Sequence, residues 1–265
     1  TTLFTNCEKV IDVDVPSIEP KLVVDASFEI FFDENPVVSN TVVRLSLSAD
    51  YFSDEIPAVT NATVFLTNLS DNTIINFSDA DADGSYEPSN SFIPAENTIY
   101  ELTVIYDNET YKGQATRIKS TPIIDVTQSD KTLFSGNEVG INVKIQDELN
   151  IDNYYFYDFS KANYSVLEDR FFDGQIYEVP NFYEEDDIEL PETVTIKMLG
   201  ISREYYTYLS ILLDQSGENG GGPFQSVPSS LLGNMINTTT DANFPLGYFH
   251  IAEVDTFTLD LVEKE

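Results

Sequence analysis

Apolar and polar residues alternate with a period of two through most of this chain, and that alternation sets the fold class. From Leu22 the even positions read Leu22, Val24, Ala26, Phe28, Ile30 and Phe32, and the odd positions include Asp25, Ser27 and Glu29. Successive side chains of an extended backbone point to opposite faces, so the pattern describes a strand with one buried face. It recurs at residues 42–47, 62–66 and 100–106, with a more polar partner at 110–118. Asp107 and Asn108 lie between those last two segments and form a hairpin turn signal. Short strands separated by Pro, Asn, Asp and Ser predict an immunoglobulin-like β-sandwich over residues 21–120.

Strand patterns resume after Thr121-Pro122. They cover residues 123–126, then Val139, Ile141, Val143 and Ile145, then residues 153–159, then Val194, Ile196 and Met198. Phe257, Leu259 and Leu261 close the series. One segment departs from it. Tyr205, Tyr208, Leu209, Leu212 and Leu213 fall at helical spacing, with Ser202 suited to the N-cap and Gly217 to the terminus. The expected chain is therefore mainly β. Residues 1–20 hold a processing remnant, a lipidation site and a tether. Residues 21–120 form the sandwich, and residues 121–265 form a second β-rich domain with one helix at about 202–215. Long irregular stretches are expected at 161–191 and 216–245, and loops of such length are usually functional or mobile.

With 42% hydrophobic residues in 265, the chain can bury a sizeable core. Its 46 acids against 13 bases give a net charge of −33. That surface repels phosphate backbones, which excludes nucleic acid as a partner. The single cysteine excludes an internal disulfide framework and a cysteine-rich zinc site. Its position carries more information. Cys7 follows a short, largely apolar and small-residue stretch, Leu3-Phe4-Thr5-Asn6, where a bacterial lipoprotein takes its lipid. The other reading is a free thiol near a terminus. A lipid gives membrane affinity of about 0.8 kcal/mol per buried methylene. No apolar run approaches the ~20 residues that a spanning helix needs.

The sharpest local motif is Asp79, Asp81, Asp83, Gly84, Ser85 and Glu87. Alternate carboxylates followed by a glycine can turn their oxygens towards one hard cation, here calcium. Asn90 stands where a calcium loop would place its bidentate glutamate, and a solvated acidic turn is the competing reading. The acidic run 184–189 reads as a solvated face. His250 is the sole histidine, no serine sits in a Gly-X-Ser-X-Gly elbow, and no catalytic residue is assigned. Aromatic side chains are abundant and most belong in the core. Phe171, Phe172, Phe182 and Tyr183 fall in an expected loop and are the candidates for a partner-binding surface.

Several segments together carry a family likeness. Residues 7–16 and 19–26 open it, beginning at Cys7-Glu8-Lys9-Val10 and Glu19-Pro20-Lys21-Leu22. Asn153-Tyr154-Tyr155, Arg170-Phe171-Phe172-Asp173-Gly174 and Ile201-Ser202-Arg203-Glu204-Tyr205-Tyr206 follow. Leu232-Gly233-Asn234 and Pro245-Leu246-Gly247-Tyr248-Phe249 complete it. In this order, over nearly the whole chain, they resemble a Bacteroidota outer-membrane lipoprotein family of unknown function. The resemblance implies an outward-facing lipoprotein, encoded beside a TonB-dependent receptor, with Glu8, Asp12 and Asp14 resembling an acidic surface-export tag. It implies no activity and no catalytic residue. The expected function is a non-enzymatic accessory or ligand-capture subunit of a TonB-dependent transporter. A calcium-stabilised, adhesin-like structural protein and an acidic hydrolase of polysaccharide or peptide are the rival readings.

Overall fold

The structure is a computed structural model and describes residues 19–49, 53, 55–133, 136–216 and 231–263. Cys7, the acids Glu8, Asp12 and Asp14, and Gly217 lie outside the described residues.

The chain is mainly β, as the alternation predicts. Its first half holds β1 (Leu22–Phe31), β2 (Val38–Leu47), β3 (Thr63–Asn68), β4 (Ile74–Ser78), β5 (Ser85–Pro88), β6 (Ile99–Tyr106) and β7 (Glu109–Ile118). Then come β8 (Ile123–Ser129), β9 (Val139–Gln146), β10 (Tyr154–Asp158), β11 (Tyr164–Glu168), β12 (Ile176–Tyr183) and β13 (Glu192–Ile201). The helix α1 (Arg203–Ser216), β14 (Met235–Asn237) and β15 (Leu246–Leu261) end the chain. The β6–β7 turn places Asp107 and Asn108 at φ 48° and 61°, which these two residue types tolerate and a tight hairpin requires.

The larger sheet runs β11-β10-β13-β15-β1-β2-β5-β4-β3-β6-β7-β14, and β15 also pairs with β7. The strands from β15 through β1 to β7 therefore close a ring. Its interior is filled by the even-numbered residues of β1, from Leu22 to Ile30, with Leu66, Leu102, Val104, Phe249 and Ile251. Phe28 stacks on Phe77 at 5.6 Å and meets Phe249 edge-on at 5.2 Å. A second core lies between β10, β13, the end of β15 and the small sheet β12-β9-β8. Ile141, Val143, Ile145, Tyr155, Tyr157, Ile196, Met198 and Leu261 belong to it.

β15 joins the two cores. Its first part runs parallel to β1, from Val23↔Leu246 to Phe31↔Val254. Its second part runs antiparallel to β13, from Leu199↔Val254 to Glu192↔Leu261. Two buried carboxylates sit where the partners change. Glu253 pairs with Arg117 at 2.7 Å and accepts the Ser120 amide at 3.2 Å. Asp255 accepts the Ile123 amide at 2.6 Å and that of Thr256 at 2.8 Å. The segment from β7 to β8 is thereby stapled to β15.

Residues 161–191, expected to be irregular, contain β11 and β12. Both are edge strands, and neither alternates cleanly. Every residue of β11 is half-buried, and β12 carries Pro180, which an edge strand tolerates because one row of its N–H groups is unpaired.

Candidate functional site

The helix starts where the sequence indicates: the Ser202 hydroxyl accepts the Tyr205 amide at 3.2 Å. Leu209 then packs α1 onto Leu199, Ile201, Ala252 and Val254, on the outer face of β13 and β15. Strand alternation sends Phe249 and Ile251 into the first core and leaves Tyr248 and His250 facing the helix. Beside them the 231–234 segment lies against β15. Asn234 holds it there, donating to the Phe249 carbonyl at 2.7 Å and accepting the Phe249 amide at 2.8 Å. Gly233 permits the approach, since a Cβ at that position would run into the Gly247 carbonyl.

These elements and the end of β7 enclose a cavity of about 610 Å³. That size suits a small molecule. Tyr205, Tyr208, Tyr248 and His250 form an aromatic cluster along it. The Tyr205 ring stacks on His250 at 4.4 Å and lies 4.5 Å from Tyr248, and Tyr208 lies 5.0 Å from Tyr248. Ile118, Ile201, Ile211 and Leu232 add apolar wall.

The electrostatics run from wet to dry. Glu204 is exposed and lines the mouth. It is the one charged residue among the described lining, which holds no lysine or arginine. His250 lies at the other extreme. It is 8% exposed, and its Nδ1 has no hydrogen-bond partner. Burial, and then the nearby Lys197 charge, push its pKa down to about 3. The ring is therefore neutral at any physiological pH. Burial also holds the hydroxyls of Tyr205 and Tyr248 above their ordinary pKa, with the Glu204 charge adding to the effect at Tyr248. The site thus offers aromatic faces, a neutral histidine ring at its buried end and one exposed carboxylate.

Residues 8–258 match the family described as Domain of unknown function (DUF4249). The chain belongs to this family. Among curated proteins, none matches it. Membership in DUF4249 brings no activity with it, so function rests on what the side chains are placed to do.

The residues singled out in the sequence fall in several places. In the 79–87 loop, Asp79 accepts the amides of Asp83 at 3.2 Å and Gly84 at 3.0 Å, and Asp83 accepts that of Ser85 at 2.7 Å. Those carboxylates hold their own turn, with Gly84 at φ 87°, while Asp81 and Glu87 point into solvent. Among the described residues, the three carboxylates that converge are instead Asp147, Asp169 and Asp173, with ligand atoms within 4.8 Å of one another. Asp147 accepts the Tyr155 hydroxyl at 2.6 Å and the Gly174 amide at 2.9 Å. Asp169 accepts the Asn153 amide at 2.8 Å and Asp173 that of Asn150 at 2.7 Å, so the trio ties two loops together. Burial first, and then the charges of Asp147, Asp152 and Asp173, raise the Asp169 pKa.

Of the four aromatics expected at a partner surface, Tyr183 and Phe172 are core side chains. The Tyr183 hydroxyl donates to the Phe159 carbonyl at 2.8 Å, and Phe172 stacks on Tyr177 at 4.2 Å. Phe182 is half-buried, and Phe171 is 86% exposed. Of the tyrosines that line the cavity, the sequence marks Tyr205 and Tyr208 as helix residues and gives Tyr248 only as part of the family likeness. Their signal was present: Tyr205 and Tyr208 repeat at a helical interval, and an aromatic precedes the only histidine by two positions, but nothing local places the helix over that strand.

Proposed function

We propose that this chain is a non-enzymatic ligand-capture protein of the bacterial outer membrane. In this reading a lipid on Cys7 anchors it facing outward, and it serves as an accessory subunit of a TonB-dependent transporter. The observation that carries the capture role is the aromatic cavity of about 610 Å³, walled by α1, β7 and β15. Most of its wall comes from regular elements, and Asn234 ties the irregular 231–234 segment to β15, so a ligand meets a largely preformed site and little ordering entropy opposes binding. The anchor and the transporter follow from the position of Cys7 and from the resemblance drawn on the residues. Tethering would raise the effective concentration of the capture domain beside the barrel without any new contact.

Purification of the native protein in mild detergent tests this reading, with mass spectrometry of its partners and of its N-terminal peptide. A lipidated Cys7 and a stoichiometric TonB-dependent barrel are expected. An unmodified N-terminus and repeated recovery without a barrel would refute it. The adhesin-like alternative places calcium in the 79–87 loop. The occupation of Asp79 and Asp83 by backbone amides favours the capture reading over it.

A further inference from the structure

We infer that the cavity under α1 takes an amphipathic organic cation, with its flat apolar body against the tyrosines and its ammonium group at Glu204. The inference rests on the capture reading and narrows it to a ligand class. Three independent features lead there.

The first is the wall. Tyr205, Tyr208 and Tyr248 present π faces, which attract both flat apolar groups and cations. The second is the distribution of charge. The described lining has no lysine or arginine to neutralise an anion, and Glu204 stands exposed at the mouth. An anionic group inside would lose its hydration and meet no counter-charge. A net charge of −33 adds a field that concentrates cations at the surface and repels anions before contact. The third is the buried end. His250 is buried there and stacks on Tyr205 at 4.4 Å, so it offers a flat uncharged ring. The nearby Lys197 ammonium is bonded to Glu29 at 3.0 Å, so its charge is compensated and the buried end offers an ionic group of either sign no partner. The one carboxylate of the described lining, Glu204, is exposed, so the cationic group belongs beside it and the uncharged body against the buried rings.

Three probes of matched shape separate the contributions: tryptamine as the cation, 3-methylindole as the neutral body and indole-3-propionate as the anion. Calorimetric titration of the intact chain at low salt is expected to show one site for tryptamine. Exposed charge pairs contribute modestly, so tryptamine should bind about fivefold tighter than 3-methylindole. Indole-3-propionate should bind at least about tenfold more weakly than tryptamine, because repulsion replaces attraction. Glu204→Gln keeps the side-chain shape at an exposed helix position. It should weaken tryptamine about threefold to fivefold and leave 3-methylindole unchanged, with the melting temperature lowered by no more than about two degrees through the lost charge in the first turn of α1. Equal binding of the anion, or tryptamine affinity indifferent to Glu204→Gln, overturns the inference. Failure of all three probes while the barrel still co-purifies overturns the ligand class and spares the capture role. Absence of the barrel counts against the capture role itself.

Discussion

Buried polar residues carry the clearest consequences at the scale of single side chains. His250 has a folded pKa of about 3 against an ordinary 6.5. Above its ordinary value both folded and unfolded chains hold it neutral. As pH falls below that value, the unfolded chain takes up the proton and the folded chain does not, so stability is lost on acidification down towards the folded pKa. The loss from this group is on the order of 2 kcal/mol between about pH 7 and about pH 5. His250→Phe should remove that share of the slope, read as the difference between variant and wild-type denaturant unfolding at the two pH values. A variant with an unchanged slope would show that the ring is not held neutral. Glu253 poses the opposite case. Truncation by Glu253→Ala leaves the Arg117 guanidinium partly buried without its partner, and the Ser120 amide without its acceptor. A loss of about 3 kcal/mol in chemical denaturation is expected. Neither Glu253 nor Asp255 stands out in the sequence, because in a chain with 46 acids the two look like all the others.

The elements that matter most are β15 and the helix above it. β15 curves from one partner to the next, and Gly247 sits near its start at φ 92°. A Cβ there would collide with the Val24 carbonyl of β1. Gly247→Ala should therefore cost more than the ~1 kcal/mol of an ordinary glycine replacement and lower the melting temperature by several degrees. It should also loosen the cavity, because Tyr248 is the next residue; a variant melting like wild type would contradict this placement. The helix was legible in the sequence from its N-cap and its apolar spacing. Its docking site was not, since Leu209 meets residues of β13 and β15 that the pattern only marks as apolar. The edge strands β11 and β12 are hidden in the sequence for a related reason. A strand with mixed exposure, or one interrupted by Pro180, lacks the period that identifies strands.

For the whole molecule, two features dominate. One is the charge. At −33 the folded chain repels itself, and screening shortens the range of that repulsion to about 10 Å at ~0.1 M salt. Raising sodium chloride from ~0.02 M to ~0.5 M should raise the melting temperature. A flat or falling melting temperature would mean that pairs such as Arg117 with Glu253 outweigh the net repulsion. The other feature is the continuity of β15 between the two cores. One strand contributes Phe249 and Ile251 to the first and Leu261 to the second. Neither core can lose that strand without exposing the other, so both should unfold in a single step with coincident fluorescence and circular dichroism transitions.

The sequence alone determined that the chain is mainly β, where most core strands run, that one capped helix interrupts them, and which family the chain resembles. Each of these depends on neighbours within a few residues, where side-chain alternation and capping act. Tertiary structure decided that β15 lies parallel to β1 across more than two hundred residues of chain, that Asp147, Asp169 and Asp173 converge, and that three tyrosines and a neutral histidine share one cavity. Such contacts are selected by the burial of whole faces against one another, and the period of a strand shows that a face is buried without showing against what.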